Sequence, residues 1–267
     1  MKEEKEPPIL TNKFHSSNSV FLPENLLREA RRQKNVPDCP IPSVCVLDPD
    51  GDLVTYLSNQ GLTEKNKCWA CYHSHLYTVD LDGVQIGIVP CIVGSSYAVL
   101  VAEQLFVSGC ELLISVTSAG VINQTPELKR FALITEAVRD EGTSYHYLPK
   151  EAKAVISPNL LTQLSMAEQE LWFHTKSWTT DAPYRETEKA IEAMKEQGAT
   201  CVEMEAAALY AYGIAKQKKI ICFAHLTNTM AQQEGDFEKG EHFGSIDTLN
   251  LIRQFIEIYA AECKSVT

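Results

Sequence analysis

Residues 75–117, HLYTVDLDGVQIGIVPCIVGSSYAVLVAEQLFVSGCELLISVT, decide the fold class. Residues 75–93 read as two strands on either side of Asp82-Gly83, a dipeptide that favours the tight turn of a β-hairpin. A helix is expected behind them from about Tyr97 to Val107, and CELLISVT at 110–117 is a continuous apolar run that suits a strand covered on both faces. Residues 83–102 carry no charge over 20 positions, a length that could cross a bilayer. Gly87, Pro90, Gly94, Ser95 and Ser96 break that stretch, so it reads as strand, turn and helix, and no membrane span is expected.

The same alternation extends outward. A helix is expected near 24–34, a buried strand at 43–48 (SVCVLD) ending in the turn-forming DPDGD at 48–52, and strands at 131–138 (FALITEAV) and in KAVIS. Helices follow at 186–197 and 205–217, then the strand KIICFAHLT at 219–227 and an amphipathic helix at 246–262. Alternating strands and helices predict an α/β fold, a single domain with a mixed central β-sheet flanked by helices. Residues 1–20 read as a solvated N-terminal tail and 21–267 as the domain. Neither GxGxxG nor GxxxxGK[ST] occurs, which demotes nicotinamide and ATP chemistry.

Composition narrows the function. A chain of 267 residues should bury about three-quarters of its unfolded surface and needs no staples. With 24 Lys+Arg against 35 Asp+Glu, the net charge of −11 argues against nucleic acid or an anionic membrane as partner. Small-molecule chemistry is the better class. The start MKEEKEPPIL lacks the apolar run of a secretory signal, and the nine cysteines are expected as reduced thiols in a cytoplasmic protein. CWACYHSH at 68–75 gathers Cys68, Cys71, His73 and His75, but no second cysteine pair follows, so no metal is expected.

Ligands of such sheets collect beyond the carboxyl ends of strands, where four segments stand out. In VTSAGVI (116–122), Thr117, Ser118 and Gly120 are read as a turn whose small residues let backbone N–H groups approach an anion or a sugar. RDEGTSYHYLP (139–149) is a polar loop that either carries function or is only exposed surface. In WTTDAPYRE (178–186), Trp178, Tyr184 and Arg185 offer stacking and hydrogen bonding to a planar base; a surface loop is the alternative. The strongest signal is ATCVEMEAAALYAYG (199–213). Glu203 and Glu205 lie at a strand-to-helix junction in apolar sequence, where a carboxylate without partners is costly. One reading is a grip on vicinal sugar hydroxyls with Met204 against the sugar face; helix capping by one of the pair is the other.

VEMEAAALYAYG resembles the ribose-binding signature of the nucleoside phosphorylase superfamily, which holds purine nucleoside and uridine phosphorylases and nucleosidases. VTSAG, RDEGTSYH, TTDAPY and the strand ending LTNT follow in similar order from about residue 40 onward, and the loop at 139–149 and Asn228 lean toward the uridine phosphorylase side. The resemblance implies cleavage of a nucleoside's N-glycosidic bond, with inorganic phosphate as co-substrate and no other cofactor. Glu205 would bind the ribose hydroxyls, Glu203 and Met204 line the sugar, Ser118 contact phosphate or ribose, and Tyr184 with Arg185 flank the base. Thr117 and Gly120 complete the substrate-binding set. Asn228 takes the place of an acid that protonates purines in relatives, which disfavours purine chemistry of that kind because an amide cannot donate that proton.

The sequence departs from the resemblance where relatives clamp phosphate with arginines. The first turn reads DPDGDLV, Ser115 occupies the second place, and the third, which relatives lend from a neighbouring subunit, falls near Tyr72 and His73. Gly51, Ser118 and His73 are then the expected phosphate contacts, with His75 or Arg139 as further recruits. Three readings follow: a phosphorylase of the uridine type, a hydrolytic nucleosidase, and a non-catalytic nucleoside-binding protein. Relatives complete their sites across subunit interfaces, which implies a homodimer or hexamer.

Overall fold

A computed structural model describes residues 6–125, 130–165, 172–230 and 234–265. In chain order the strands are β1 (Val44–Asp48), β2 (Glu64–Lys65), β3 (Tyr77–Leu81), β4 (Val84–Pro90), β5 (Leu112–Val121), β6 (Phe131–Asp140), β7 (Ala154–Val155), β8 (Trp172–Thr180), β9 (Cys201–Glu203) and β10 (Lys219–Asn228). The helices are α1 (Pro23–Lys34), α2 (Asp52–Asn59), α3 (Ser95–Val107), α4 (Pro158–Ser165), α5 (Glu188–Glu196), α6 (Ala206–Lys216) and α7 (Ser245–Ser265).

The strands form one mixed sheet in the order β10-β6-β8-β9-β5-β1-β4-β3-β2, with β7 beside β6. The expected α/β fold with a mixed central sheet and flanking helices is therefore present. Because β10 also pairs with β5, the strands β5, β10, β6, β8 and β9 close into a ring, and β1 to β4 extend from its β5 edge. The apolar strand β1 runs parallel between β4 and β5, which explains why Cys45, Val46 and Leu47 are all buried. Asp82 (φ 54°) and Gly83 (φ 89°) make the expected hairpin turn between β3 and β4. The charge-free stretch becomes β4 and the first half of α3, as read from its breakers. Among the described residues, no helix is long and apolar enough to cross a membrane.

Helix α6 joins the ring to the outer layer. Its buried run of Ala206, Ala207 and Ala208 lies close beneath the sheet, and the buried Tyr210 hydroxyl donates to the Ile134 carbonyl of β6 while accepting from the Cys222 N–H of β10 at 3.0 Å. Both partners are needed, since a buried phenol without them would lose its hydration for nothing. Residues 6–20 carry no helix or strand and lie along the 141–150 loop: Glu6 pairs with Lys150, Lys13 meets His146 Nδ1 at 3.2 Å, and His15 meets the Tyr145 carbonyl at 3.1 Å.

Three expectations are corrected. Thr117, Ser118 and Gly120 are not in a turn: β5 continues to Val121 because β10 pairs along one edge of its carboxyl half and β9 pairs with Gly120 and Val121. Trp178 is not available to a base, since it belongs to β8, is buried against Ile122, Ala199 and Val202, and donates its indole N–H to Asp140 at 2.9 Å. Nor are the cysteines uniformly reduced: the loop after α1 lays Cys39 beside Cys68, the Cα atoms 5.4 Å apart, and the two form a disulfide. That bond also removes Cys68 from the 68–75 cluster, and the described residues contain no group of three ligands fit for a metal ion.

Candidate active site

Strand register assembles the site. Parallel pairing of β5 with β10 puts Gly120 opposite Asn228, and antiparallel pairing with β9 puts Gly120 opposite Val202. Parallel pairing of β8 with β9 sets Thr179 opposite Glu203. Ser118 and Gly120 of β5, Glu203 and Met204 at the β9–α6 junction, and Asn228 of β10 thus reach one cleft of about 540 Å³. The turn Pro183–Arg185 after β8 supplies Tyr184 to the rim, with Glu186 behind it, and Phe237 borders the opposite loop. Of the residues read from sequence as substrate contacts, the structure brings Ser118, Gly120, Tyr184, Glu203, Met204 and Asn228 to this cleft. Another hollow, of about 600 Å³, opens beside α4 at Lys219 and Ile220, the amino end of β10 and hence away from the carboxyl-end cleft.

The two glutamates hold the junction from beneath. Glu203 is buried; its Oε1 accepts from Ser177 Oγ at 3.0 Å and Thr179 Oγ1 at 2.5 Å, and its Oε2 accepts from the N–H groups of Glu205 (2.7 Å) and Ala206 (2.8 Å). It therefore ties β8 to the start of α6 and satisfies a helix N–H that has no partner within the helix. Glu205 is 1% exposed and faces the other way, its Oε1 accepting from Gly94 N–H at 2.7 Å and its Oε2 from Thr117 Oγ1 at 2.9 Å. Ser95 Oγ donates to the Met204 carbonyl at 2.7 Å, so the start of α3 is stitched to both residues after Glu203. Burial raises the pKa of both carboxyls, and Glu203 adds its charge to lift Glu205 to about 8. Each carboxylate oxygen can accept two hydrogen bonds, so Glu205 retains acceptor capacity beyond these protein donors.

The expected phosphate contacts divide. Gly51 caps the start of α2 with φ 79°, and a Cβ there would sit 2.8 Å from Cys91 Sγ, so only glycine fits. Asp48 accepts from Gly51 N–H at 3.2 Å and Val54 N–H at 3.0 Å; burial, reinforced by Asp50 and Asp52, raises its pKa to about 7. Ser118 Oγ donates to Asp50, which places Ser118 and the Gly51 turn side by side. His73, expected to be lent to a neighbouring subunit's site, is exposed in the loop before β3, and its carbonyl accepts from the Tyr97 hydroxyl at 2.8 Å. His75 is exposed and meets Lys65 Nζ at 3.4 Å. The Arg139 guanidinium donates to Ser144 Oγ and to the carbonyls of Leu148, Pro149 and Ala152, so it serves the polar loop itself. Arg185 is exposed beside Tyr184.

Sequence reasoning missed the cation at the first turn. Lys239 Nζ reaches Asp50 at 3.0 Å and Asp52 at 2.7 Å, from the loop after β10. The run GDFEKG at 235–240, polar and glycine-bounded beyond the last strand, was the available signal.

The closed ring thus sets an acidic strand-to-helix junction, a small-residue strand rim and an aromatic turn around one cleft. A family model described as the phosphorylase superfamily matches residues 43–257, and the chain belongs to this superfamily. The guanosine phosphorylase of Halorubrum lacusprofundi is 27% identical over 140 residues, 51% of this chain and 57% of the relative, so the match spans little more than half of that protein. Among solved structures, uridine phosphorylase from Vibrio fischeri complexed with 6-hydroxy-1-naphthoic acid aligns with a TM-score of 0.61 at 20% identity, over 86% of this chain and 90% of that one. Purine nucleoside phosphorylase from Toxoplasma gondii in complex with immucillin-H aligns with a TM-score of 0.67 at 16% identity, over 85% and 93%. At these identities the likeness is one of fold.

Proposed function

We propose that the chain cleaves the N-glycosidic bond of a nucleoside with inorganic phosphate, releasing free base and ribose 1-phosphate. The observation that carries this reading is the convergence of Ser118, Gly120, Glu203, Met204, Asn228 and the Tyr184 turn on one cleft, beside which the buried Glu205 accepts from Thr117; the sugar would lie toward the β9–α6 junction and the base toward the Tyr184 turn. Positive charge would develop on the sugar as the bond lengthens, and loss of the proton from a junction carboxyl on substrate binding would stabilise it. Phosphate would approach from the Gly51 turn, where the start of α2 and Lys239 offer positive potential; to bind it, Lys239 exchanges its carboxylate partners for phosphate oxygens. A homodimer or hexamer in a cytoplasmic setting belongs to the same proposal, and the uridine-type base is one of two base classes the cleft is tested for.

One observation favours a second reading, hydrolysis. Asp50 and Asp52 crowd the phosphate approach, and Ser118 already donates to Asp50. Like charge disfavours a phosphate dianion there, whereas water meets no such barrier. The test follows base release from uridine, inosine and adenosine with and without phosphate. Release that requires phosphate, with a phosphate KM raised about tenfold in Lys239→Met, supports phosphorolysis. Equal release without phosphate makes the chain a nucleosidase, and binding without release makes it a non-catalytic nucleoside-binding protein.

A further inference from the structure

Residues 66–76, which carry the CWACYHSH run, are held in place by side chains and not by a main-chain ladder. Asn66 N–H donates to the Leu76 carbonyl at 2.8 Å and closes the segment at its base, where β2 meets β3. Among the described residues, 67–75 take part in no backbone-to-backbone hydrogen bond. The Cys39–Cys68 disulfide ties the segment to the loop after α1. Lys34 Nζ, at the end of α1, donates to the Cys71 carbonyl at 2.7 Å and lies 4.7 Å from the centre of the Tyr72 ring, and the Tyr72 hydroxyl donates to Gln33 Oε1 at 2.8 Å. Trp69 is buried in the core, and Ala70 packs on Leu27 and Ala30 of α1. On the other side the Tyr97 hydroxyl holds the His73 carbonyl. Tyr97 belongs to the first turn of α3, whose capping Gly94 donates to Glu205 and whose Ser95 donates to the Met204 carbonyl. One helical turn therefore connects the segment with the β9–α6 junction. Cys39 and Cys68 are half-buried, whereas Cys45, Cys71, Cys110, Cys201 and Cys222 are buried, so the bonded pair is the more open to solvent.

We propose that the Cys39–Cys68 bond is a redox-sensitive clasp, which sets the order of residues 67–75 and, through Tyr97, of the α3 start that serves Glu205. Its bearing on catalysis rests on the reading that this junction binds a nucleoside; the clasp itself does not. Opening takes a dithiol reductant. One thiolate of the reductant attacks one sulfur of the pair, the sulfur–sulfur bond breaks, and the other cysteine leaves as a thiolate and takes a proton. The reductant's second thiolate then attacks the mixed disulfide, closing the reductant's own disulfide and releasing the remaining cysteine, so two electrons and two protons pass to the pair. A disulfide oxidant such as oxidised glutathione runs the exchange in reverse. Without the bond, residues 67–75 keep the packing of Trp69 and Ala70 and the contacts to Gln33, Lys34 and Tyr97. Gln33 and Lys34 are exposed, and a segment held by solvent-exposed hydrogen bonds opens readily. In the cytoplasmic setting proposed above, a disulfide is of the transient or redox-sensing kind and not a permanent staple.

The test is hydrogen exchange read by mass spectrometry on the oxidised chain, on the chain reduced with dithiothreitol, and on a Cys39→Ser, Cys68→Ser double variant, with thiol mapping and nucleoside kinetics beside it. Reduction is expected to speed exchange about tenfold or more in peptides covering 67–76 and 94–98, and oxidised glutathione should restore the slow rates. The double variant should exchange at the reduced rate with or without dithiothreitol, and unaltered exchange across β5 and β10 shows that it is folded. KM for inosine or uridine, whichever the wild type cleaves, should rise about fivefold or more on reduction, with no response to dithiothreitol in the double variant. Free thiols at Cys39 and Cys68 after incubation with oxidised glutathione, a bond mapped to Cys68 and Cys71 instead, or exchange that reduction leaves unaltered would overturn the clasp. Faster exchange confined to 67–76, with KM unchanged, would overturn its link to the junction. Base release in neither oxidation state would overturn the nucleoside reading, and the exchange rates would still decide the clasp.

Discussion

Glu203 accepts four hydrogen bonds and touches the cleft only at its edge, so its loss is felt first in stability. Glu203→Ala strands two hydroxyls and two backbone N–H groups in a buried site, and a destabilisation of about 3 kcal/mol is expected, read as a lower urea midpoint. The VEME pair was legible in the sequence because buried carboxylates demand partners, and of the readings weighed there the capping role finds its residue in Glu203. How the two glutamates differ was not legible: it depends on Ser177 and Thr179, from β8, and on Gly94, which caps α3, and Thr117 of β5 meeting the junction in space.

At the scale of elements, the turn from β1 into α2 carries the most information. Gly51→Ala must place a Cβ in left-handed backbone and against Cys91 Sγ, so thermal unfolding should occur at lower temperature, by about 1–3 kcal/mol of stability. Asp48 below this turn and Glu205 below the junction share one pH dependence. Their folded pKa values, about 7 and about 8, lie above the unfolded ones, so the folded chain binds more protons between those limits. Their contribution to stability is complete below about pH 4 and is lost as pH rises through 7 to 8. Urea midpoints should therefore fall between pH 5 and pH 8, and a rise over that interval would show that these carboxyls are ionised in the fold. Strands β1, β3, β4, β6 and β10 were legible from their apolar runs. Strand β8 was not, since WFHTKSWTT mixes polar and apolar residues on a strand that packs on both sides. The last four residues of β5 look like a turn because Ser118, Ala119 and Gly120 are small; pairing with β9 and β10 makes them strand.

The whole molecule closes a ring that no local pattern announces, because the closing pairs β5–β10, β5–β9 and β6–β10 join segments separated by up to about a hundred residues. Closure explains why so many polar groups from distant segments share one cleft. It leaves Tyr184 (99% exposed) and Phe237 (52%) at the rim, aromatic surface that a second subunit would cover in the proposed homodimer or hexamer. Sedimentation equilibrium should give a multiple of the 29.8 kDa chain mass; a monomer at micromolar concentration would refute that assembly. The excess acid that first excluded nucleic acid has a local counterpart at the Gly51 turn, where Lys239 stands between Asp50 and Asp52. The central claim, that a nucleoside is cleaved above the β9–α6 junction, is tested most directly by following free base from inosine and uridine with wild type and Glu205→Gln. Base release by the wild type, reduced about a hundredfold or more in the variant, is the predicted result. Absence of release from either nucleoside, or an unchanged rate in Glu205→Gln, would contradict it.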